Sequence, residues 1–157
     1  MLPCVSRNPD LPPAIVADRW EDLLADARAT AAEYRESGWN ALVVHTAEVE
    51  VATGEEFGLV AVAPDNEVAE LRALAAEATF ESTDVYCAES GGVRFLVVVN
   101  EAPASREVVL VPAYLPGEEA RALEERAREA GRMTTHVRTL ADEARVTFSH
   151  DDPAPFF

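Results

Sequence analysis

Three histidines are the residues of this chain best suited to chemistry at neutral pH: His45, His136 and His150. An imidazole can serve as base, acid or metal ligand in that range. The closing stretch "VTFSHDDPAPFF" sets His150 beside Asp151 and Asp152. His45 or His150, working with Asp151 or Asp152, is the set from which a metal-assisted or acid/base hydrolase would be built. The competing reading is a strand end followed by a solvated tail. A metal centre needs two or three such ligands on converging faces, and strand alternation tests this. In "ARVTFSHD", Val146, Phe148 and His150 share one face; in "MTTHVRTL", Met133, Thr135 and Val137 share one, and His136 and Arg138 the other. Pairing the two apolar faces turns His136 and Arg138 away from His150, so no metal site is assigned. His150 then reads as the last core-facing residue of its strand. His136 and Arg138 could grip an anion or carboxylate, or they could belong to an edge strand that uses charge to block edge pairing. His45 ends an apolar strand before an irregular loop, a common place for site residues.

Other chemistry is excluded by missing parts. The chain has no lysine, so Schiff-base chemistry and the phosphate-binding lysine of kinases and P-loop enzymes are out of reach. Walker, Rossmann and nucleophile-elbow patterns are absent, and so is a CxxC zinc pattern. "ESGG" is a hairpin turn with no helix after it to present an N-terminus to phosphate. No cofactor is implied.

The net charge is −16 and all 13 cationic residues are arginine. Such acidity is self-repulsive in dilute buffer. In molar salt the Debye length falls to about 3 Å and the repulsion is screened. Acidity spread along the whole chain, with lysine absent, fits a salt-adapted surface better than an acidic patch for one partner. There is no basic stripe or aromatic ribonucleoprotein motif, so nucleic acid is not an expected partner. Residues 121–145 depart from the trend, with six arginines against five acids. They form either a partner or anion surface or a helix whose arginines pair with nearby glutamates.

The elements that must position these residues follow from periodicity. Residues 1–17 are rich in proline and read as an irregular arm. Asp18 with Glu21 suggests a capping box, opening a helix with Trp20, Leu23, Leu24, Ala27, Ala31 and Tyr34 on one stripe; Gly38 stops it. "WNALVVH" and "GLVAVA" are strands apolar on both faces. Between them "TAEVEVATGEEF" is partly alternating and then turn-like. Pro64-Asp65-Asn66 opens a second helix. "FESTDVYCAESGGVRFLVVVN" is a hairpin turning at Gly91-Gly92. "REVVLVPAYL" is a strand in which Pro112 marks a bulge or an unpaired position. "PGEEARALEERAREAG" is a third helix with a thin apolar stripe, and two final strands follow.

The expected fold is α+β, a mostly antiparallel sheet of about seven strands with three helices in the order α-β-β-α-β-β-β-α-β-β. The first eight elements match the order of profilin-like and roadblock-type folds, an analogy of order alone. The expected organisation is an arm at 1–17, a single domain at 18–152 and a tail at 153–157. Pro153 and Pro155 should hold the tail extended. Phe156 and Phe157 either fold back onto the domain or dock a protein partner or a second copy of the chain. Cys4 and Cys87 do not make a disulfide framework, and a buried Cys87 thiol in a reducing compartment fits. No signal-peptide pattern or bilayer-length apolar run is present, so a cytoplasmic protein without membrane contact is expected.

Several stretches, "RWEDLLADARATAAEYRESGW", "VAPDNEV", "LVPAYLPGEEARALEERAREAGRMTTHVR" and "VTFSHDDPAPFF", resemble a haloarchaeal family of small acidic proteins classed as a domain of unknown function. The resemblance covers residues 17–157 and implies a source and compartment, with no activity or catalytic residue to carry over. The sequence therefore points first to a non-catalytic protein- or small-ligand-binding module and second to the hydrolase.

Overall fold

The computed structural model describes the backbone from Pro13 to Phe157 and side chains from Arg19 onward. Three helices and eight strands follow in the order α1 (Pro13–Glu36), β1 (Asn40–Val43), β2 (Glu48–Ala52), β3 (Gly58–Val62), α2 (Asp65–Glu77), β4 (Ser82–Ser90), β5 (Val93–Ala102), β6 (Glu107–Pro116), α3 (Gly117–Ala130), β7 (Met133–Arg138) and β8 (Arg145–His150). A short 3₁₀ turn, Ala154–Phe156, ends the chain.

The α+β class is as expected, but the strands form two four-stranded sheets, β1-β6-β5-β4 and β2-β3-β7-β8. The chain crosses from one sheet to the other three times: through residues 44–47, through α2 and through α3. These crossings create two parallel pairs, β1 with β6 and β3 with β7; the remaining pairs are antiparallel. A single sheet of seven strands is thereby corrected. The eighth strand, β2, is "EVEVA", whose glutamates face solvent while Val49 and Val51 lean on the core.

Two apolar layers hold the assembly. Between the sheets lie Leu59, Ala61, Leu96, Val98, Val109, Val111, Val137, Val146 and Phe148. The second layer packs Leu23, Ala27 and Ala31 of α1 onto Phe95, Val97, Val99, Val108 and Leu110. β5 and β6 are therefore covered on both faces, which is why their sequences are continuous apolar runs. α2 adds Val68 and Leu71 to the inter-sheet core, and α3 adds Ala120, Leu123 and Ala127. The thin stripe of α3 is fully buried; its other face is exposed.

Local signals behave as their chemistry requires. Gly38 and Gly131 end α1 and α3 with positive φ, and Gly91-Gly92 turn the β4–β5 hairpin. Pro112 causes no bulge. The Val44 N–H donates to the Leu110 carbonyl, so the nitrogen two residues on faces the space beyond the end of β1. Its missing N–H costs no ladder bond. α1 begins at Pro13, five residues before the expected capping box, so Asp18 and Glu21 lie inside it. The expected arm thus loses its last residues to the helix, and residues 1–12 lie outside the described residues. The tail is not extended either: Pro153 takes a helical conformation, and the 3₁₀ turn carries Phe156 into the core at 1% exposure. Cys87 is half-buried and disulfide-bonded, which corrects the expected free thiol; Cys4 lies outside the described residues.

Candidate functional site

The β7–β8 register pairs Met133 with His150 and His136 with Thr147. His150 and His136 therefore stand on opposite faces of the second sheet, as strand alternation requires. Each is held by a different hydrogen-bond set.

His150 is 3% exposed and sits between the sheets against the Phe156 ring, 4.9 Å away. Its Nε2 lies 2.8 Å from Thr135 Oγ1 and its Nδ1 3.0 Å from Thr83 Oγ1. Thr83 donates its hydroxyl proton to Asn100 Oδ1 at 3.4 Å, so Thr83 must accept from Nδ1–H. Thr135 then donates to Nε2. Asn100 in turn donates from Nδ2 to the Val109 carbonyl at 3.4 Å. The result is a directional chain crossing the core, from Thr135 on β7 through His150 on β8 and Thr83 on β4 to Asn100 on β5. Burial pushes the His150 imidazole down to about 4, against a smaller upward pull from Asp151. It is neutral at pH 7, with both nitrogens engaged. Asp151 and Asp152 are exposed, and Asp152 accepts the Ala154 N–H to form the terminal turn.

The chain of hydrogen bonds reaches an open cleft at Thr83 and Asn100. Ala75, Ala78 and Thr79 from the end of α2 form one wall, and Phe80, Val146 and Phe148 are further lining residues. The cleft encloses about 330 Å³, and none of its lining residues is charged. Phe80 and Phe148 meet edge to face at 5.1 Å. The network is tight in the core, at 2.8 and 3.0 Å, and slack where it meets the cleft, with both Asn100 bonds at 3.4 Å.

His136 is fully buried on the other face. Thr134 gives its hydroxyl proton to the Phe57 carbonyl, so His136 Nε2–H donates to Thr134 Oγ1 at 2.9 Å and to the Glu56 carbonyl at 3.2 Å. Thr147 donates to Nδ1 at 2.8 Å. Burial lowers the His136 pKa. β7 lies between β3 and β8, so it is not the edge strand that the blocking reading required. Arg138 pairs with Glu50 at 3.1 Å and donates to the Thr139 and Leu140 carbonyls. Within the arginine-rich stretch, Arg128 and Arg145 pair with Glu124 and Asp142, and Arg126 and Arg132 stack on Phe57. Phe157 is half-buried beside the core.

His45 stands apart, in the crossing between β1 and β2. Glu67, in the first turn of α2, accepts the His45 backbone N–H at 2.7 Å and the ring Nδ1–H at 2.5 Å. This leaves Nε2 without a protein partner among the described residues, on a side chain 59% exposed. The hydroxyl of neighbouring Thr46 is buried without a hydrogen bond. The structure therefore does not bring His45, His150 and Asp151 together, and it pairs His45 with Glu67, a partner the sequence reading missed. A third group of titratable residues also escaped it. Burial and the charge of Glu101 raise the Tyr34 phenol to about 12, and burial and Asp84 raise Glu101. Among the described residues, no three His, Cys, Asp or Glu side chains are placed to hold a metal ion. No described helix is long and apolar enough to cross a membrane.

No curated protein and no solved structure matches the chain. The model of a family of unknown function, DUF7529, matches residues 12–157, and the chain belongs to that family.

Proposed function

We propose that the protein is a binding module for a small neutral ligand, held in the cleft between the end of α2, β4 and β8. The observation that carries this reading is the uncharged lining of that cleft in a chain of net charge −16, with the slack end of the buried hydrogen-bond chain opening into it. Its volume falls at the lower end of the range for small-molecule sites. Asn100, 1% exposed, already spends one amide hydrogen on the Val109 carbonyl and one carbonyl lone pair on Thr83. Its second hydrogen and second lone pair are what a ligand meets, so the matching ligand carries an amide-like edge on an apolar body. A charged ligand would give up its hydration for a wall without counter-charge.

Calorimetric titration with benzamide tests this, with benzoate as the charged control of the same shape. Benzamide should bind, benzoate should not, and Ala78→Leu, which fills the cleft, should abolish binding. Equal heats for both compounds, or binding unaffected by Ala78→Leu, would defeat the proposal.

A second reading, acid/base hydrolysis, rests on the His45–Glu67 pair alone, because both His150 nitrogens are occupied. Glu67 orients the ring and leaves Nε2 to solvent, as a general base requires. Ester hydrolysis lost in His45→Ala would favour it; equal rates in both proteins would remove it.

Salt adaptation and a cytoplasmic location belong to the same proposal; the acidic, lysine-free composition supports the first. The Cys87 disulfide weighs against the second of these, since disulfides persist mainly in oxidising compartments. Thiol titration of the unfolded protein, purified without reductant, decides it: reactive thiol restores the cytoplasmic reading, and its absence removes it.

A further inference from the structure

Independently of the cleft, we infer that the free edge of β1 takes an extended, arginine- or lysine-bearing segment of a partner protein as an added strand. β1 bonds β6 on one side only and is an end strand of its sheet. The N–H groups of Asn40 and Val44 donate to carbonyls on the β6 side. By strand alternation the backbone groups of Ala41 and Val43 point the other way, away from β6. The Ala41 carbonyl is capped there by the Arg35 guanidinium at 2.8 Å.

That edge opens into a groove of about 530 Å³ between β1 and α2. Ala41, Leu42, Ala73 and Leu74 supply small apolar surface, and Glu70, Glu77 and Glu107 supply carboxylates. Exposed edges are templates for strand addition, with main-chain bonds giving affinity and flanking side chains giving selectivity. The carboxylates select a cationic segment and repel a second copy of this acidic chain. Arg35 acts as a removable plug, since its side chain supplies the one hydrogen bond that an incoming N–H would otherwise make to Ala41.

The test is an amide NMR titration of the full chain with an acetylated and amidated Arg-Val-Arg-Val-Arg peptide, with Arg-Pro-Arg-Pro-Arg as control. The proline peptide carries the same charge and cannot form a ladder. With the valine peptide, the Ala41 and Val43 amides should shift and gain protection from exchange, and with the proline peptide they should not. Arg35→Ala should tighten binding several-fold, and the Glu70→Gln/Glu77→Gln pair should weaken it; both changes lie on exposed helix positions. The inference is overturned if Ala41 and Val43 do not respond, if both peptides act alike, or if the response maps to the edges at β2, β4 or β8. Benzamide binding is unaffected by any of these outcomes, so failure here is distinct from failure of the cleft.

Discussion

Acid should destabilise this protein through His150 in a way that one substitution removes. The imidazole is buried between two threonine hydroxyls, and desolvation lowers its pKa from 6.5 to about 4. In the unfolded chain it takes a proton near 6.5. As pH falls below that value, protons favour the unfolded state, and the stabilising contribution fades until the folded pKa is reached. It is fully present above 6.5 and lost near 4. The gap between those values corresponds to about 3 kcal/mol. With a urea slope of about 2 kcal/mol per molar for a chain of this size, the midpoint should fall by about 1.5 M across that range. His136, also lowered by burial, pushes in the same direction. The surface carboxylates oppose it, because protonation relieves their repulsion. The assay is therefore a comparison: urea midpoints of the wild type and His150→Gln at fixed high salt, from above 6.5 down to about 4. Glutamine can bond both threonines and does not titrate. The wild type should lose about 3 kcal/mol more than the variant over the window. Parallel pH profiles would refute the buried, neutral His150 and the hydrogen-bond chain built on it.

Other substitutions probe the frame around the site. Gly58 pairs with Thr134, and a Cβ there would lie 1.8 Å from the Thr134 carbonyl oxygen, so Gly58→Ala should cost about 3 kcal/mol or more in thermal or urea unfolding. A near-neutral result would mean that β3 and β7 do not pair in this register. Phe156→Ala should cost about 3 kcal/mol, because its buried ring packs on His150; a loss below about 1 kcal/mol would mean that the tail is not part of the core. Folding should also depend on salt: at about 0.05 M NaCl, where screening extends beyond about 10 Å, the melting temperature should drop sharply. Full stability in dilute buffer would contradict the salt-adapted reading of the charge.

Much of the fold was legible because it is written in local periodicity. The stripe of α1, the glycine stops at Gly38 and Gly131, and the Gly91-Gly92 hairpin need no knowledge of distant partners. The opposite facing of His136 and His150 followed from alternation once the two strands were paired. The division into two sheets was not legible, because it depends on the parallel pairs β1–β6 and β3–β7, and no turn joins those partners in sequence. β2 was overlooked because its short alternation is half glutamate and half valine. The His45–Glu67 pair joins a strand end to a helix start 22 residues away, and only tertiary packing brings them together. The cleft was hidden for a related reason: Thr83 and Asn100 look like ordinary polar strand residues until β8 lies over them. At the tail, two prolines suggested an extended spacer, but the bond from the Ala154 N–H to the Asp152 carboxylate and the burial of Phe156 favour a tight turn.

The most direct test of the central claim is the side-chain amide of Asn100, followed in NMR spectra while benzamide and then benzoate are added. The account predicts that benzamide moves the Asn100 Nδ2 resonances together with the rings of Phe80 and Phe148, and that benzoate leaves all three in place. Unmoved Asn100 resonances in the presence of benzamide, or equal movement with benzoate, would contradict it.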